Sequence, residues 1–432
     1  MFQNHCNVPS MISSAVWRGV VAMIQSLRNR KEDLQELFQS TFSPFMGSAL
    51  LALVMVIMMS GSTHWGVFGG LRYVGDVINH LLGLNHLLGL PETLSPPLRQ
   101  HLLISDAALI LGALSAALIG GRYRVVPPPW AEYVSGAVGG LLMGLGASLA
   151  GGCTVGGFLT PLIFFSPAGW MMLLGLMAGA AIGIRGLLWA MDTFPWGRAP
   201  PSLGNGSLWK TISPWLGWLV LSFACLWGVV FYRQAERYDT LGLTILSALL
   251  IGMILQRSRL CFSKAIREPF MTGDGQHAKA VMLLIALVAL PSSLFLNKGL
   301  IAPYGAIPPS FWPGSFAGGL SFGIGMVFAG GCATSTLWRL AEGNLKMLST
   351  LFFFAWSGST CSALLSQFSW TERSYDLDFY NAIPAITKLG YQAYLPDLTG
   401  NWGWALAMTY GLLLGWYLLV RYNERSERFT IF

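Results

Sequence analysis

The sequence has few charged residues for its length. Only 10% of its 432 residues are charged, whereas 54% are hydrophobic. An ordinary soluble domain carries about 25% charged residues, because its surface must face water. The shortage of charge therefore excludes an ordinary soluble protein and favours one whose solvent is the lipid bilayer.

Patterns for several common chemistries are also absent. The six cysteines include no Cys-x-x-Cys pair, and no Cys/His spacing matches a zinc site. No Gly-x-x-x-x-Gly-Lys loop is present, so ATP hydrolysis is not predicted. We therefore expect no metal, no other cofactor, no disulfide framework and no enzymatic activity.

Long apolar stretches, by contrast, are abundant. A membrane-spanning helix needs about 20 apolar residues, and ten stretches approach that length. The sequence thus predicts an all-α polytopic membrane protein that forms one helical bundle in the lipid bilayer. The predicted spans lie near residues 43–60, 102–120, 134–152, 167–190, 214–232, 240–256, 278–296, 313–331, 347–367 and 402–420.

The segment before the first span, residues 1–42, does not have the pattern of a cleaved signal peptide. It begins with polar residues, lacks a compact apolar core with a cleavage site, and runs into charged residues from Arg28. Apolar residues at helical spacing between Met11 and Leu27 indicate either an amphipathic helix on the inner membrane surface or a solvated tail. The predicted organisation continues with a first transmembrane repeat (43–192), a connecting loop and span (193–237), a second repeat (238–367), and an external loop, last span and cytoplasmic tail (368–432).

The distribution of lysine and arginine predicts the orientation in the membrane. With ten spans both termini share one side, and that side carries 19 of the 26 basic residues. Because basic loops face the cytoplasm, we expect both termini in the cytoplasm and the protein in a bacterial inner membrane. The net charge of +7 follows from this asymmetry, so no nucleic-acid partner is expected. The other side holds Arg72, Arg99, Arg233, Arg237, Lys298, Arg373 and Lys388.

An internal repeat is visible in two glycine-rich segments. Residues 139–153 read GGLLMGLGASLAGGC and residues 318–332 read GGLSFGIGMVFAGGC, with nine of fifteen positions identical at an offset of 179. Five predicted spans, an odd number, separate the two copies, so they point in opposite directions. Inverted repeats of this kind are typical of transporters whose binding site lies near the midplane of the membrane.

The glycines within each copy have two different predicted roles. Gly140 and Gly144, like Gly319 and Gly323, are one helical turn apart, a spacing that lets helix backbones pack closely in lipid. The pairs Gly151-Gly152 and Gly330-Gly331 instead predict that the helix breaks.

The chain after each glycine pair is too short to cross the bilayer before the next span. Residues 154–165 and 333–342 therefore predict re-entrant half-helices, which are tolerated only where they line a protein cavity. We expect these half-helices to meet near the centre of the membrane. Their amino ends carry free N–H groups and would favour an anion.

Cysteines occupy both breaks. A buried cysteine is ordinarily a small inert hydrophobe, and this interpretation suits Cys225 and Cys361. Cys153 and Cys332 are predicted to be functional instead, because the duplication retained the same thiol at the same break.

A third cysteine follows the sixth span, in the segment QRSRLCFSKAIREPF (256–270). Four cations surround this cysteine, and they have two interpretations: the ordinary positive charge of a cytoplasmic loop, or a short amphipathic or re-entrant helix that places Cys261 among them. We favour the second interpretation and expect Arg267 to face an arriving anion. The four cations are Arg257, Arg259, Lys264 and Arg267.

These elements together resemble the YeeE/YedE family of sulfur-compound transporters, over roughly residues 43–420. The resemblance rests on AGGC at 150–153 and 329–332, on LCFSKAIRE at 260–268 and on TSTLWRLAEGN at 334–344. It is nearer to the YedE branch, which is associated with selenium transport. It implies an inverted repeat in which cysteines, here Cys153, Cys261 and Cys332, pass thiosulfate inward. The segment 61–72 lacks the cysteine that thiosulfate carriers have there.

The sequence therefore predicts a membrane transporter or channel for thiosulfate or a related sulfur or selenium anion. A thiol is a weak, polarizable donor, and weak sites let a transported ion leave; carboxylates would repel a dianion, and few lie within the spans. The predicted partners are the small sulfur-containing anion, the lipid bilayer and a cytosolic sulfur-carrier protein at the inner face. The alternatives are a membrane sulfurtransferase or thiol-redox protein that uses Cys261, and a non-transporting scaffold.

Overall fold

The computed structural model describes residues 41–430 except 62, 98–99, 195, 198–206, 234–240 and 372–384. The amphipathic helix proposed within residues 1–42 lies almost wholly outside the described residues. The longer helices are α1 (Pro44–Ser60), α2 (Phe68–Leu81), α4 (His101–Ile119), α5 (Trp130–Ala150), α7 (Ala168–Thr193), α8 (Ser207–Arg233), α9 (Leu241–Ser258), α10 (Phe262–Met271), α11 (Gln276–Asn297), α12 (Pro313–Ala329), α13 (Ala333–Ala341), α14 (Lys346–Gln367) and α16 (Trp402–Ser426). The short elements are α3 (Asn85–Leu88), a π-helical turn (Thr154–Leu159), α6 (Thr160–Ile163), a 3-10 turn (Pro303–Gly305), α15 (Leu395–Thr399), and the antiparallel strands β1 (Ile386–Thr387) and β2 (Gly390–Tyr391).

The architecture is that of an all-α polytopic membrane protein, as predicted. Within the described residues, nine helical segments are long and apolar enough to cross a membrane, and α1 is a shorter apolar helix of 17 residues. Each of the ten predicted apolar stretches corresponds to one long helix. The small sheet of β1 with β2 was not predicted, because strands of two residues leave no alternating pattern in the sequence.

The centre of the bundle is the contact between α5 and α12. A Cβ atom on Gly146 would lie 2.5 Å from the carbonyl oxygen of Gly318, and one on Gly325 would lie 2.7 Å from that of Gly139. Later residues of one helix thus meet earlier residues of the other, so the two helices run antiparallel. At the offset of 179 these two contacts are equivalent, with the roles of the helices exchanged.

Close glycine contacts also join the central pair to its neighbours. A Cβ on Gly140 would lie 2.4 Å from the carbonyl oxygen of Thr350 in α14, and one on Gly319 would lie 2.4 Å from that of Met172 in α7. The packing role predicted for the one-turn glycine pairs is therefore confirmed. It again occurs once in each half of the chain.

Both predicted helix breaks are present. Gly151 ends α5 with φ of 74°, and Gly330 ends α12 with φ of 75°. This left-handed conformation disfavours any residue with a Cβ. After each break the chain forms a half-helix: the π-helical turn with α6 in the first case, and α13 in the second. The first begins as a wide π-helix, and the two half-helices contact each other.

Candidate functional site

Two of the predicted cysteines lie side by side. Cys261 immediately precedes α10 and Cys332 immediately precedes α13, so both thiols are at the amino ends of short helices. The two thiols are close enough to interact with each other, and both lie near the Ser335 hydroxyl. Cys261 is 4% exposed and Cys332 is fully buried. We call these two residues the thiol pair.

A tight turn brings Cys261 to this place. Helix α9 ends at Ser258, and Arg259 then adopts a left-handed φ of 55°. The Ser258 hydroxyl donates to the Ile254 carbonyl at 2.7 Å and accepts from the Leu260 N–H at 3.3 Å. The turn thereby satisfies groups that the end of a helix would leave unpaired, and it directs Cys261 back toward α13.

A cavity of about 400 Å³ opens beside the thiol pair, with Cys261 in its wall. Most of the charged residues that line it are basic. A concentration of positive charge attracts anions and raises their local concentration. We call it the cationic cavity. Its charged lining residues are Arg259, Lys264, Arg267, Arg339, Lys346 and the single carboxylate Glu132.

Two of these cations also stabilise the walls of the cavity. Arg339 donates to the carbonyl of Gly330 at 2.7 Å, which satisfies an acceptor at the helix break. Arg259 forms an ion pair with Glu342 at 2.9 Å and lies over the ring of Trp338, 5.5 Å from its centroid. Lys264 and Lys346 form longer ion pairs of 3.8 Å, with Glu268 and Glu132 respectively.

Glu342 closes the turn after α13. Burial raises the pKa of its carboxyl, against the opposing effect of Arg259. Gln256 donates to its second oxygen at 2.8 Å. The ion pair between Arg259 and Glu342 joins the turn before α10 to the turn after α13. It therefore helps to fix the position of Cys261 relative to α13.

Cys153 has a different environment. It is fully buried, and backbone N–H groups of Val155, Gly156 and Val67 point toward its sulfur. Val67 precedes α2, so the break after α5 meets the segment that leads into α2. Such converging backbone donors favour an anionic ligand.

A small cavity of about 10 Å³ lies nearby, between α1, the segment before α2 and the first half-helix. Its size is about that of one water molecule. Three methionines contribute to its wall, which is largely apolar. Its lining residues are Met55, Met58, Met59, His64, Trp65, Thr160, Ile163 and Phe164.

Arg267 lines the cationic cavity, whereas Cys225 and Cys361 lie elsewhere and are only partly buried. Among the described residues no disulfide forms and no cluster of three metal-ligating side chains is found. Sequence reasoning missed Ser335, Arg339 and Glu342. They lie in the run TSTLWRLAEGN, which was used to recognise the family and could have pointed to them.

These features define a class: a polytopic α-helical membrane protein in which buried thiols at helix breaks adjoin a cationic cavity. The chain belongs to the sulphur transport family, whose model matches residues 8–182 and 257–430, and the predicted resemblance to YeeE/YedE proteins is confirmed.

Individual relatives agree with this membership. The chain is 28% identical over 294 residues to the probable transporter YedE of Salmonella typhimurium, covering 66% of this chain and 71% of that protein. It is 32% identical over 106 residues to the thiosulfate transporter TsuA of Escherichia coli, covering 24% of this chain and 29% of that protein. It is 30% identical over 167 residues to TsuA of Spirochaeta thermophila, covering 36% of this chain and 49% of that protein.

Proposed function

We propose that this protein imports thiosulfate, or a related sulfur or selenium anion, and that the anion passes Cys153 and then the thiol pair. The observation that carries the proposal is the proximity of Cys332 to Cys261, which lies in the wall of the cationic cavity. Thiols donate weakly to a soft anion, and the surrounding cations compensate its charge. A weak site of this kind lets the anion leave again, as transport requires.

The arrangement of the pathway rests on an inverted repeat. The equivalent contacts of Gly146 with Gly318 and of Gly325 with Gly139 support a pseudo-twofold axis that relates the two halves. Such an axis makes Cys153 and Cys332 equivalent binding sites on opposite sides of the membrane centre. The anion would then meet one thiol site from each side.

The direction of transport follows from the charge distribution. The cationic cavity lies on the side that carries most of the basic residues, which we assign to the cytoplasm. Both termini are then cytoplasmic, and a bacterial inner membrane is the setting. The cavity is also the place where a cytosolic sulfur-carrier protein would receive the anion.

Uptake of radiolabelled thiosulfate tests the proposal, in cells that lack other sulfur importers. Cells that express the chain should accumulate label, and cells without it should not. Cys261→Ser should retain more uptake than Cys261→Ala, because a hydroxyl still donates a hydrogen bond and a methyl group does not. Equal uptake by the two variants would contradict hydrogen-bond donation by Cys261.

A second candidate function is favoured by the proximity of the two thiols. In a membrane sulfurtransferase, the Cys261 thiolate would attack the outer sulfur of thiosulfate, form a cysteine persulfide and release sulfite. The nearby cations would stabilise such a thiolate. Mass spectrometry after exposure to thiosulfate separates the two functions, because transport by hydrogen bonding leaves Cys261 unmodified.

A further inference from the structure

One ionisable side chain in the bundle has no role in the pathway described so far. Asp106 lies in the membrane-spanning helix α4 and is 4% exposed. Neither oxygen of its carboxyl group has a hydrogen-bond partner among the described residues. An ionisable residue at such depth is costly, so it is ordinarily paired or functional.

The carboxyl group of Asp106 lies next to the Cys153 site. A Cβ atom on Gly70, in the first turn of α2, would lie only 2.2 Å from its Oδ2 atom. Val67, three residues earlier, directs its N–H toward the Cys153 sulfur, and Asp106 is near enough to interact electrostatically with that thiol. An anion beside Cys153 would therefore be repelled by the carboxylate of Asp106.

No described cation compensates that charge. The helices packed against α4 are α2, α8, α9 and α13, and each carries cations that are placed elsewhere. On α2, Arg72 is exposed, Asp76 accepts from Ser359 at 2.5 Å and His80 contacts the Pro91 carbonyl. On the other helices, Arg339 donates to Gly330, Arg257 lies over Phe42 and Arg233 is exposed. His101 at the start of α4 is exposed, and the side chain of Lys210 on α8 is outside the described part of the chain.

We propose that Asp106 binds a proton that must be present for the anion to occupy the site beside Cys153. The inference rests on the proposed function. A carboxylate would repel the dianion, whereas the neutral acid has no net charge and can donate a hydrogen bond. By linkage, a proton on Asp106 strengthens anion binding, and a bound anion strengthens proton binding to the same extent.

A proton fits this position better than a metal cation. Hard cations require several oxygen ligands, and no cluster of three metal-ligating acidic, histidine or cysteine side chains occurs in the described part of the chain. A proton needs only one oxygen. The amino end of α2 beside Gly70 carries a partial positive charge, which also makes the ionised form attainable.

The test is the initial rate of radiolabelled thiosulfate uptake into proteoliposomes, with equal pH on both sides, from about pH 5.5 to about pH 9. Wild-type uptake should fall about tenfold per pH unit once Asp106 has lost its proton, since one proton is required. Asp106→Asn should show no such fall, so that it transports faster than wild type at the alkaline end. Asp76→Asn, the matched control, should keep the wild-type profile.

Several results would overturn the proposal. Wild-type uptake that does not change with pH, or an Asp106→Asn profile that falls like the wild type, would remove the role of Asp106. If Asp106→Asn does not reach the membrane, Asp106→Glu decides: a displaced midpoint supports the proposal and an unchanged midpoint contradicts it. Absence of wild-type uptake at every pH would instead refute the proposed function itself.

Discussion

Replacement of Cys332 by alanine is expected to abolish most thiosulfate uptake, and replacement of Cys153 should do the same. A hydrogen bond to a charged group contributes about 1.5–3 kcal/mol, so its loss should lower uptake at low thiosulfate about ten- to hundredfold. Both residues are fully buried at their helix breaks, and alanine fills nearly the same volume. The loss should therefore come from chemistry rather than from unfolding, which uptake assays and membrane yields together would establish.

The chain offers matched controls for this experiment. Cys225→Ala and Cys361→Ala remove thiols that are only partly buried and lie outside the site. Both variants should transport at the wild-type rate. Equal uptake by all four alanine variants would leave the glycine breaks, without their thiols, as the functional part of the motif.

Gly146→Leu is expected to cause the largest loss of stability. The new side chain would meet the backbone of α12 at Gly318 and Phe322, with its Cβ at 2.5 and 2.6 Å from backbone atoms. Overpacking costs about 1–3 kcal/mol, occasionally more, and here the obstacle is backbone that cannot rotate away. We expect a cost of at least about 3 kcal/mol, seen as a lower thermal midpoint and a lower yield in detergent.

Gly411→Leu provides the control for this substitution. Gly411 also lies within a long apolar helix, α16, but a Cβ there meets nothing within 4 Å. Its replacement should leave the thermal midpoint unchanged. Gly325→Leu, the equivalent position in the second half, should lower the midpoint as much as Gly146→Leu does; a clear inequality would argue against the inverted repeat.

Much of the fold could be predicted from the sequence, because a bilayer imposes simple rules. A long apolar stretch must become a helix, since every backbone group in lipid has to be paired within the segment. The pairs Gly151-Gly152 and Gly330-Gly331 likewise predict that the helix breaks there, because glycine readily adopts the left-handed conformation.

The site could be predicted only in part. The thiol pair forms because the amino ends of α10 and α13 lie close together, and no local pattern near Cys261 specifies Cys332 as its neighbour. The cationic cavity collects residues from different helices, such as Glu132 and Lys346. Asp106 has no motif around it, so its proximity to Cys153 becomes visible only once α2 and α4 are packed.

The most direct test of the thiol pair as a binding site for thiosulfate is protection from alkylation. Purified protein would be treated with a thiol reagent at neutral pH, with and without saturating thiosulfate, and labelling of each cysteine measured by mass spectrometry. We expect thiosulfate to slow labelling of Cys261, the member of the thiol pair that lines the cavity, and to leave Cys225 and Cys361 unchanged. Labelling of Cys261 at the same rate with and without thiosulfate, under conditions where uptake is saturated, would contradict the account.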